Sequence, residues 1–575
     1  MNEIVAVELI VGMEVHVELG TASKVFSRAV NLAGVGGQSG KAGEGGAHGG
    51  GGPNWAIDAV VLGLPGALPT VNVAAIELAM RVGLALGCAV SEMTSWDRKS
   101  YFYPDLPKGY QISQLGRPVC FGGRVEVEVE KRDERVSHVC DMSRSPAGGT
   151  PAPLTPEKRV IRIDRAHLEE DAGKLMHEAP GGGVIEGSIV DLNRAGTPLL
   201  EIVTAPDFRS AAECVEYARM LREVVRGVGA SRAILQKGEM RFEPSINCAL
   251  TLADGRVVRT PIVEVKNLNS FAALEGAIEY EREEQPRRWK VDGRAQSAGN
   301  KSTRGWDDGK RVTVAQREKE EAADYRYFPE PDLLPVALGS EWVARVRGAL
   351  PELPNARRGR YATMGLGAGE IEVLAVERGV AELFEGAVEA AVSAGMEREK
   401  AVKGVANLLV QSGGKRVNEY LATQGAAGGR IEAEDLGDED GGAGAVEYVI
   451  SDLGISAEAL GGIAALRGKG EISAANADEL FGMMCGRPGA TGAEVTEAAA
   501  ARGMVMVRDE GAVREWVRGA IAEQGKAAED VRAGKMQAVG RLVGAAMKLA
   551  GGKGDAGMVR KALLEELGVK VDGRN

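Results

Sequence analysis

Between Val11 and Leu19 the chain alternates strictly, with apolar Val11, Met13, Val15, Val17 and Leu19 separated by Gly12, Glu14, His16 and Glu18. This is the period of a half-buried strand. It puts two carboxylates and an imidazole in one row, neighbours roughly 6.5–7 Å apart. Such a row can bind a divalent cation or handle protons. It also fits a plain solvated strand face, and the strand alone does not separate the two. A second group of the same chemistry lies within Arg159–Lys174: Val160–Ile163 suits a strand, and His167, Glu169, Glu170 and Asp171 follow as a compact cluster. Carboxylate oxygens suit Mg²⁺, whereas an imidazole is more typical of Zn²⁺ or Mn²⁺. A third stretch, Trp96–Gln114, combines tyrosines with Arg98, Lys99 and Lys108, two acids, and prolines that predict an irregular loop. Charge and aromatics with little aliphatic content make it better suited to binding than to a core.

Other chemistry is excluded by pattern. Gly-x-x-x-x-Gly-Lys-[Ser/Thr] occurs nowhere, so a nucleotide site here is not of the P-loop kind. The six cysteines include no close pair, which argues against a disulfide framework or a zinc ribbon. All five histidines lie at or before His177, which confines imidazole chemistry to the N-terminal third. One of them, His48, falls in the glycine-rich run Gly34–Gly52, which reads as a flexible, solvent-exposed loop. Hydrophobic content of 44% and charged content of 26% are those of a soluble globular protein. No apolar run is long enough for a membrane span, and Met-Asn-Glu-Ile has no signal-like character, so a cytoplasmic protein is expected. The net charge of −12 leaves nucleic-acid contact to local basic patches.

The elements that must position these groups form an α+β chain: a strand-rich domain, an all-helical domain and a small helical C-terminal tail, with boundaries expected at 1–340, 341–505 and 506–575. Val73–Leu86 predicts a helix stopped by Gly87. Ser210-Ala-Ala-Glu213 predicts a capping box opening a helix with the apolar stripe Tyr217, Leu221, Val224, Val225 and Val228. Met240–Leu252 and Val257–Val265 predict a hairpin turning at Asp254-Gly255, and Asn267–Phe271 caps a helix to about Glu284. Beyond about Glu341 helical spacing takes over, as at Leu383, Ala387 and Ala391 and at Val402, Val405, Leu408 and Leu409, with an acidic loop at Gly437–Gly444. Arg514–Gln524 and Gln537–Ala550 predict further helices. Between Val531 and Leu563 seven Lys/Arg face one acid, a local +6. Such a tail fits contact with a phosphate backbone, and fits equally a helix with ordinary basic decoration.

Several motifs together resemble one family, the B subunit of the glutamyl-tRNA(Gln)/aspartyl-tRNA(Asn) amidotransferase. They are Val11-Gly-Met-Glu-Val-His-Val-Glu18, Gly63-Leu-Pro-Gly-Ala-Leu-Pro69, the run Asp97–Gln114, His167-Leu-Glu-Glu-Asp-Ala-Gly173, Asp191-Leu-Asn-Arg-Ala-Gly-Thr-Pro198, Glu264-Val-Lys-Asn-Leu-Asn-Ser-Phe271, Asp324-Tyr-Arg-Tyr-Phe-Pro-Glu-Pro-Asp332 and Gly540-Arg-Leu-Val-Gly544. The resemblance spans nearly the whole chain in the family's order. It implies a cradle-like catalytic domain, a helical domain and a tail that contacts tRNA. It implies ATP and Mg²⁺ as cofactors, and an amidase A subunit and a small C subunit as partners in a heterotrimer. The implied reaction is phosphorylation of the side-chain carboxylate of Glu-tRNA(Gln) or Asp-tRNA(Asn), followed by displacement of the phosphate by ammonia from a glutaminase partner. A Ser/Ser/Lys amidase segment is absent from this sequence, in keeping with delivered ammonia. On this resemblance the metal ligands are Glu14, His16, Glu169, Glu170 and, more weakly, Asp191, the first four also being catalytic. Arg98, Lys99 and Lys108 face the phosphates and the tRNA 3′ end, with Tyr101 and Tyr103 stacking on a base. Lys535, Arg541, Lys548 and Lys553 contact the tRNA body.

Two departures stand out. Many family members carry Cys-x-Cys and Cys-x-x-Cys in the region of Phe26–Gly63; here Ser27-Arg-Ala29 and Ile57-Asp-Ala-Val60 replace them, so no structural zinc is expected. Met240–Cys248 is a looser match than the other motifs. A tRNA-binding scaffold without chemistry, or a metal-dependent hydrolase, are the rival readings.

Overall fold

The structure, a computed structural model, describes residues 3–35, 52–129, 157–179, 183–297, 299–318, 325–427, 449–506, 509–551 and 554–569. His48, the Gly437–Gly444 acidic run and Lys553 lie outside them. The chain divides into two compact units, the first through Pro354 and the second covering the helical remainder.

The first unit is built on one large sheet. Its strands are β1 (Ile4–Glu18), β2 (Ala89–Val90), β5 (Cys120–Val129), β6 (Glu157–Glu170), β7 (Pro198–Thr204), β8 (Met240–Leu252), β9 (Val257–Arg259), β10 (Val263–Lys266), β11 (Ser302–Asp307) and β12 (Val312–Glu318). Between β2 and β5, β3 (Asp97–Ser100) and β4 (Tyr110–Ser113) form a separate hairpin. The Trp96–Gln114 stretch is therefore not one irregular loop: Pro104 and Pro107 interrupt pairing only at its tip. The sheet order is β12-β11-β10-β8-β1-β7-β6-β5-β2, with β9 alongside β8. All pairs are antiparallel except β10 with β11.

The longest strand, β1, lies in mid-sheet, where alternation has its full effect. Val11, Met13, Val15, Val17 and Leu19 are buried on one face. Each such side chain contributes roughly 1.5–3 kcal/mol on leaving water, so a one-residue slip of register is strongly disfavoured. That face is covered by α1 (Val73–Ala85), α2 (Ala211–Gly227) and α3 (Phe271–Asp292). The Ser210 hydroxyl accepts Glu213 N–H at 3.2 Å as expected. The box is not reciprocal, because the Glu213 carboxylate accepts from Arg209 N–H instead. Helix α3 passes the expected end at Glu284 and runs through Pro286 to a left-handed Gly293 (φ 65°). Proline leaves the Arg282 carbonyl without its helical donor; the Cys248 thiol donates to that oxygen at 4.0 Å. A fourth helix, α4 (Ser340–Gly348), packs on α1, where Trp342 Nε1–H donates to Glu77 at 2.8 Å. The first unit thus continues past the expected boundary at 340.

In β6 the buried positions change parity. Ile161 and Ile163 are buried, then Ala166 and Leu168. The change coincides with a bulge against β7, where Val203 pairs with Arg165 but Thr204 with Ile163. One extra residue, Asp164, turns the remainder of the strand over.

The second unit is helical. Helices α5 (Arg378–Ser393), α6 (Arg398–Asn407) and α7 (Ala457–Gly468) share one apolar cluster, with Ala387, Ala391, Val402, Val405, Leu408 and Leu409 inside as their spacing predicts. A second cluster unites α8 (Glu510–Glu523), α9 (Val539–Leu549) and α10 (Ala556–Glu566) around Val517, Leu542, Ala546 and Leu563. Among the described residues no helix is long and apolar enough to cross a membrane.

Candidate active site

The register of the sheet assembles the site. Along β1 the polar positions pair with β8 on one side, Glu14 with Glu243 and His16 with Arg241. On the other side His16 pairs with Glu201 of β7, which pairs with His167 of β6. Directly opposed residues of an antiparallel pair share a face. The face away from the helices therefore carries Glu14, His16, Glu18, Arg241, Glu243, Glu201, His167 and Glu169. His16 Nε2 lies 3.5 Å from Glu201 Oε2 and 3.8 Å from Glu169 Oε1, and its Nδ1 lies 4.0 Å from Glu243 Oε1. His167 Nε2 is 3.4 Å from the same Glu201 oxygen. Ser113 Oγ–H donates to Glu169 Oε2 at 3.2 Å, and Lys99 Nζ stands 3.9 Å from that oxygen.

Burial and charge compete at each group. Desolvation alone would lower the His16 imidazole, but its bond to Glu201 and the charges of Glu201, Glu243 and Glu169 hold it up at about 9. Desolvation pushes Glu201 up, yet His167 and His16 hold its carboxyl well below the usual range. Glu14 is raised, first by burial and then by Glu201. Lys99 is raised: burial opposes its charge, and Glu169 outweighs it. Glu18 is lifted to about 8 by burial and by Asp171, and keeps a proton against that neighbour. Asp171 stays ionised because Arg241 (2.7 Å) and Arg194 (3.5 Å) outweigh its burial. Such perturbed, mutually dependent groups mark functional sites more often than surface charge does.

Among the described residues, His16, Glu169 and Glu201 form a three-residue group able to hold a metal ion, with ligand atoms within 4.8 Å of one another. One imidazole and two carboxylates suit Mg²⁺ or Mn²⁺. Nδ1 of both His16 and His167 is buried without a hydrogen-bond partner. Of the five expected ligands, the structure brings together His16 and Glu169. Glu14 stands one row along the same face. Glu170 follows Glu169 on a strand and so points the opposite way: it pairs with Lys108 and accepts Ile112 N–H at 2.8 Å. Asp191 accepts Asn193 N–H at 2.9 Å and Asn54 N–H at 3.4 Å, closing a turn. Strand parity splits Arg98 from Lys99 too. Lys99 faces Glu169 and lies over the Tyr325 ring, while Arg98 donates twice to Glu330 at 2.7 and 2.9 Å and stacks on Tyr110. Tyr101 and Tyr103 contact each other, ring centroids 4.9 Å apart, and Tyr103 is exposed. In the second unit Arg541 and Lys548 are exposed on α9, and Lys535 is paired with Asp530 at 2.9 Å.

Glu201 is the member of this group that periodicity misses. Its signal is a lone acid in the apolar run Pro-Leu-Leu-Glu-Ile-Val, at a position that packing would otherwise fill. Two cavities are lined by neighbouring positions of the same strands. One of about 240 Å³ extends along β1 past Glu14 to Ser245, Asn247, Arg259 and Gln296. The other, about 440 Å³, opens beside Arg241 and Glu243.

The chain is similar to known proteins over nearly its whole length. Residues 9–344 match a family described as "GatB/GatE catalytic domain" and residues 444–567 one described as "GatB domain". A protein of Moorella thermoacetica is 35% identical over 562 residues, covering 97% of this chain and 99% of the relative. One of Rhodopirellula baltica is 36% identical over 545 residues, 94% and 93% of the two chains. One of Anaeromyxobacter sp. (strain Fw109-5) is 36% identical over 562 residues, 98% and 99%. All three are named as the B subunit of an aspartyl/glutamyl-tRNA(Asn/Gln) amidotransferase.

Proposed function

The chain belongs to the GatB/GatE family, and from that premise we propose that it is the B subunit of an ATP-dependent tRNA amidotransferase, a carbon–nitrogen ligase using glutamine as amide donor. In the first step an oxygen of the tRNA-bound Asp or Glu side-chain carboxylate attacks the γ-phosphorus of ATP and ADP leaves. In the second, ammonia attacks the acyl carbon, phosphate leaves and the nitrogen loses a proton. The ammonia comes from a glutaminase partner, the A subunit, with a small C subunit completing the complex. The protein works in the cytoplasm on Glu-tRNA(Gln), Asp-tRNA(Asn) or both.

The observation that carries this reading is the His16–Glu169–Glu201 donor set standing on a rigid sheet whose neighbouring strands line two cavities. Held there, Mg²⁺ would neutralise phosphate charge. The protein's own groups orient the rest. Glu14 and Arg259 line the smaller cavity, which we assign to the nucleotide. Lys99, positively charged beside Glu169, meets the charge that develops on the transferred phosphoryl group. Glu201, 3.4 Å from His167 Nε2, keeps that ring turned toward the site.

The test is incubation of the reconstituted complex with labelled ATP and Glu-tRNA(Gln), without glutamine. A γ-phosphorylated aminoacyl-tRNA should accumulate and convert to Gln-tRNA(Gln) on adding glutamine. Tight tRNA binding without ATP turnover would identify a scaffold instead; turnover indifferent to tRNA would identify a hydrolase.

A further inference from the structure

Arg98 is fully engaged within the protein. Its guanidinium donates through Nε and Nη2 to Glu330 at 2.7 and 2.9 Å, lies 3.1 Å from Asp332, and stacks on the rings of Tyr110 and Phe328. The Glu330 carboxylate is buried and also accepts Asp332 N–H at 2.9 Å. Such a bidentate pair is rigid, because the planar fork fits one orientation of the carboxylate. Removing either partner leaves the other charge buried without compensation. The pair therefore acts as a clasp between β3 and a stretch far along the chain.

What the clasp ties down is the segment Tyr325–Asp332. Phe328 and Pro329 pair antiparallel with Arg98 and Asp97, which makes β3 the middle strand of three. Ser100 N–H donates to Tyr325 O at 2.8 Å and Glu330 N–H to Trp96 O at 2.9 Å, so the segment follows β3 along its whole length. Successive residues of a strand face opposite ways. Arg98 meets Phe328 and Glu330 on one face. Lys99 meets Tyr325 on the other, its Nζ 5.1 Å from the ring centroid. The rings of Tyr325 and Tyr327 stand edge to face, centroids 6.1 Å apart. Burial pushes the Tyr327 phenol up, the Lys99 charge opposes this, and Glu169 and Glu201 add to the rise, so the phenol is within reach of all three. Between the two tyrosines Arg326 has φ 46°, a left-handed conformation that persists outside glycine only where its surroundings impose it.

Lys99 has a flexible four-carbon stem and a compact charge, so its position has to be imposed from outside. Here the ammonium is confined between the Tyr325 ring and Glu169 Oε2, 3.9 Å away. Resting on the ligase reading above, we propose that Arg98, Glu330, Tyr325 and Tyr327 are positioning residues for Lys99. The clasp on one face of β3 holds the tyrosines on the other, and the tyrosines fix the ammonium where charge develops on the transferred phosphoryl group. Arg98 thus serves the reaction without touching a substrate.

The test is a single-turnover measurement on the full complex, with labelled ATP and Glu-tRNA(Gln) and no glutamine. Tyr325→Leu should slow phosphorylation roughly tenfold, and Tyr325→Phe, which keeps the ring face, should recover most of that loss. Arg98→Lys should slow it by roughly 10- to 100-fold. Affinities for ATP and charged tRNA should stay within about twofold, a split that general damage to the fold does not produce. The decisive arm is the Lys99→Met background. There Arg98→Lys and Tyr325→Leu should each add less than about twofold, because the group they position is gone. Losses that multiply in that background, or a Tyr325→Phe variant as slow as Tyr325→Leu, overturn the inference while leaving the ligase reading intact. Failure of the ligase reading shows separately, as no phosphorylated product from the unaltered complex, and takes the clasp's role with it.

Discussion

His16, Glu169 and Glu201 come from three distant stretches of chain and meet on adjacent strands, where the two carboxylates raise the proton affinity of the imidazole and the imidazole lowers that of Glu201. Arg541 and Lys548 of the second unit stand on one helix, exposed, with solvent screening between them. The first arrangement costs desolvation and needs register; the second needs only that a helix forms. The difference matches what each can do. Chemistry needs groups whose charge is tuned by burial, whereas a polyanion is held by exposed cations acting nearly independently.

The sharpest way to break this contrast is at Glu201. Glu201→Gln should lower the phosphorylation rate by roughly 10²–10³-fold, with charged-tRNA affinity within about twofold; single-turnover assays with filter binding measure both. A near-normal rate would remove Glu201 from the site. The next effect is on stability. Lys24 is fully buried and donates to Ala195 O at 2.5 Å in the turn before β7; burial pulls its amine down to about 8 from an ordinary 10.5. Between those values the unfolded chain binds the extra proton, so stability attributable to Lys24 rises with pH from about 8 to 10.5 and is level below. The rise is on the order of 3 kcal/mol. Urea midpoints at about pH 7.5 and about pH 10 should diverge in the native protein, and this component should vanish in Lys24→Met.

Smaller effects belong to the second unit. Arg541→Gln with Lys548→Gln should make the salt dependence of tRNA binding shallower by about 2 in slope, turnover at saturating tRNA unchanged. An unaltered slope would mean that the helix is merely decorated. The least effect is expected at Lys535, already paired with Asp530 on the surface. Lys535→Gln should shift thermal stability by under about 0.5 kcal/mol and tRNA affinity by less than the other two.

How far the sequence speaks follows from these same residues. Alternation along Val11–Leu19 identified the face bearing Glu14, His16 and Glu18, because a local period of two survives folding unchanged. Helix stripes such as Tyr217–Val228 were legible for the same reason. Adjacent pairs were not: Glu169 with Glu170, and Arg98 with Lys99, read as single clusters until strands β6 and β3 are seen to extend through them. Glu201 was illegible as a ligand because its partner His16 is reached only through the β1–β7 register. The family resemblance supplied the reaction and a ligand set, and geometry redistributed that set.

The bulge at Asp164 carries a consequence for how such chains diverge. His167 and Glu169 face the site only because one residue too many stands between them and Ile163. Substitutions along β6 change what a position offers, but a single-codon deletion there would exchange the strand's two sides, sending Glu169 toward the core and Leu168 into the site. Length variation within residues 157–170 is therefore tolerated only in compensated pairs, and a relative that lacks the extra residue must recruit its ligands from even-numbered positions or lose the chemistry altogether.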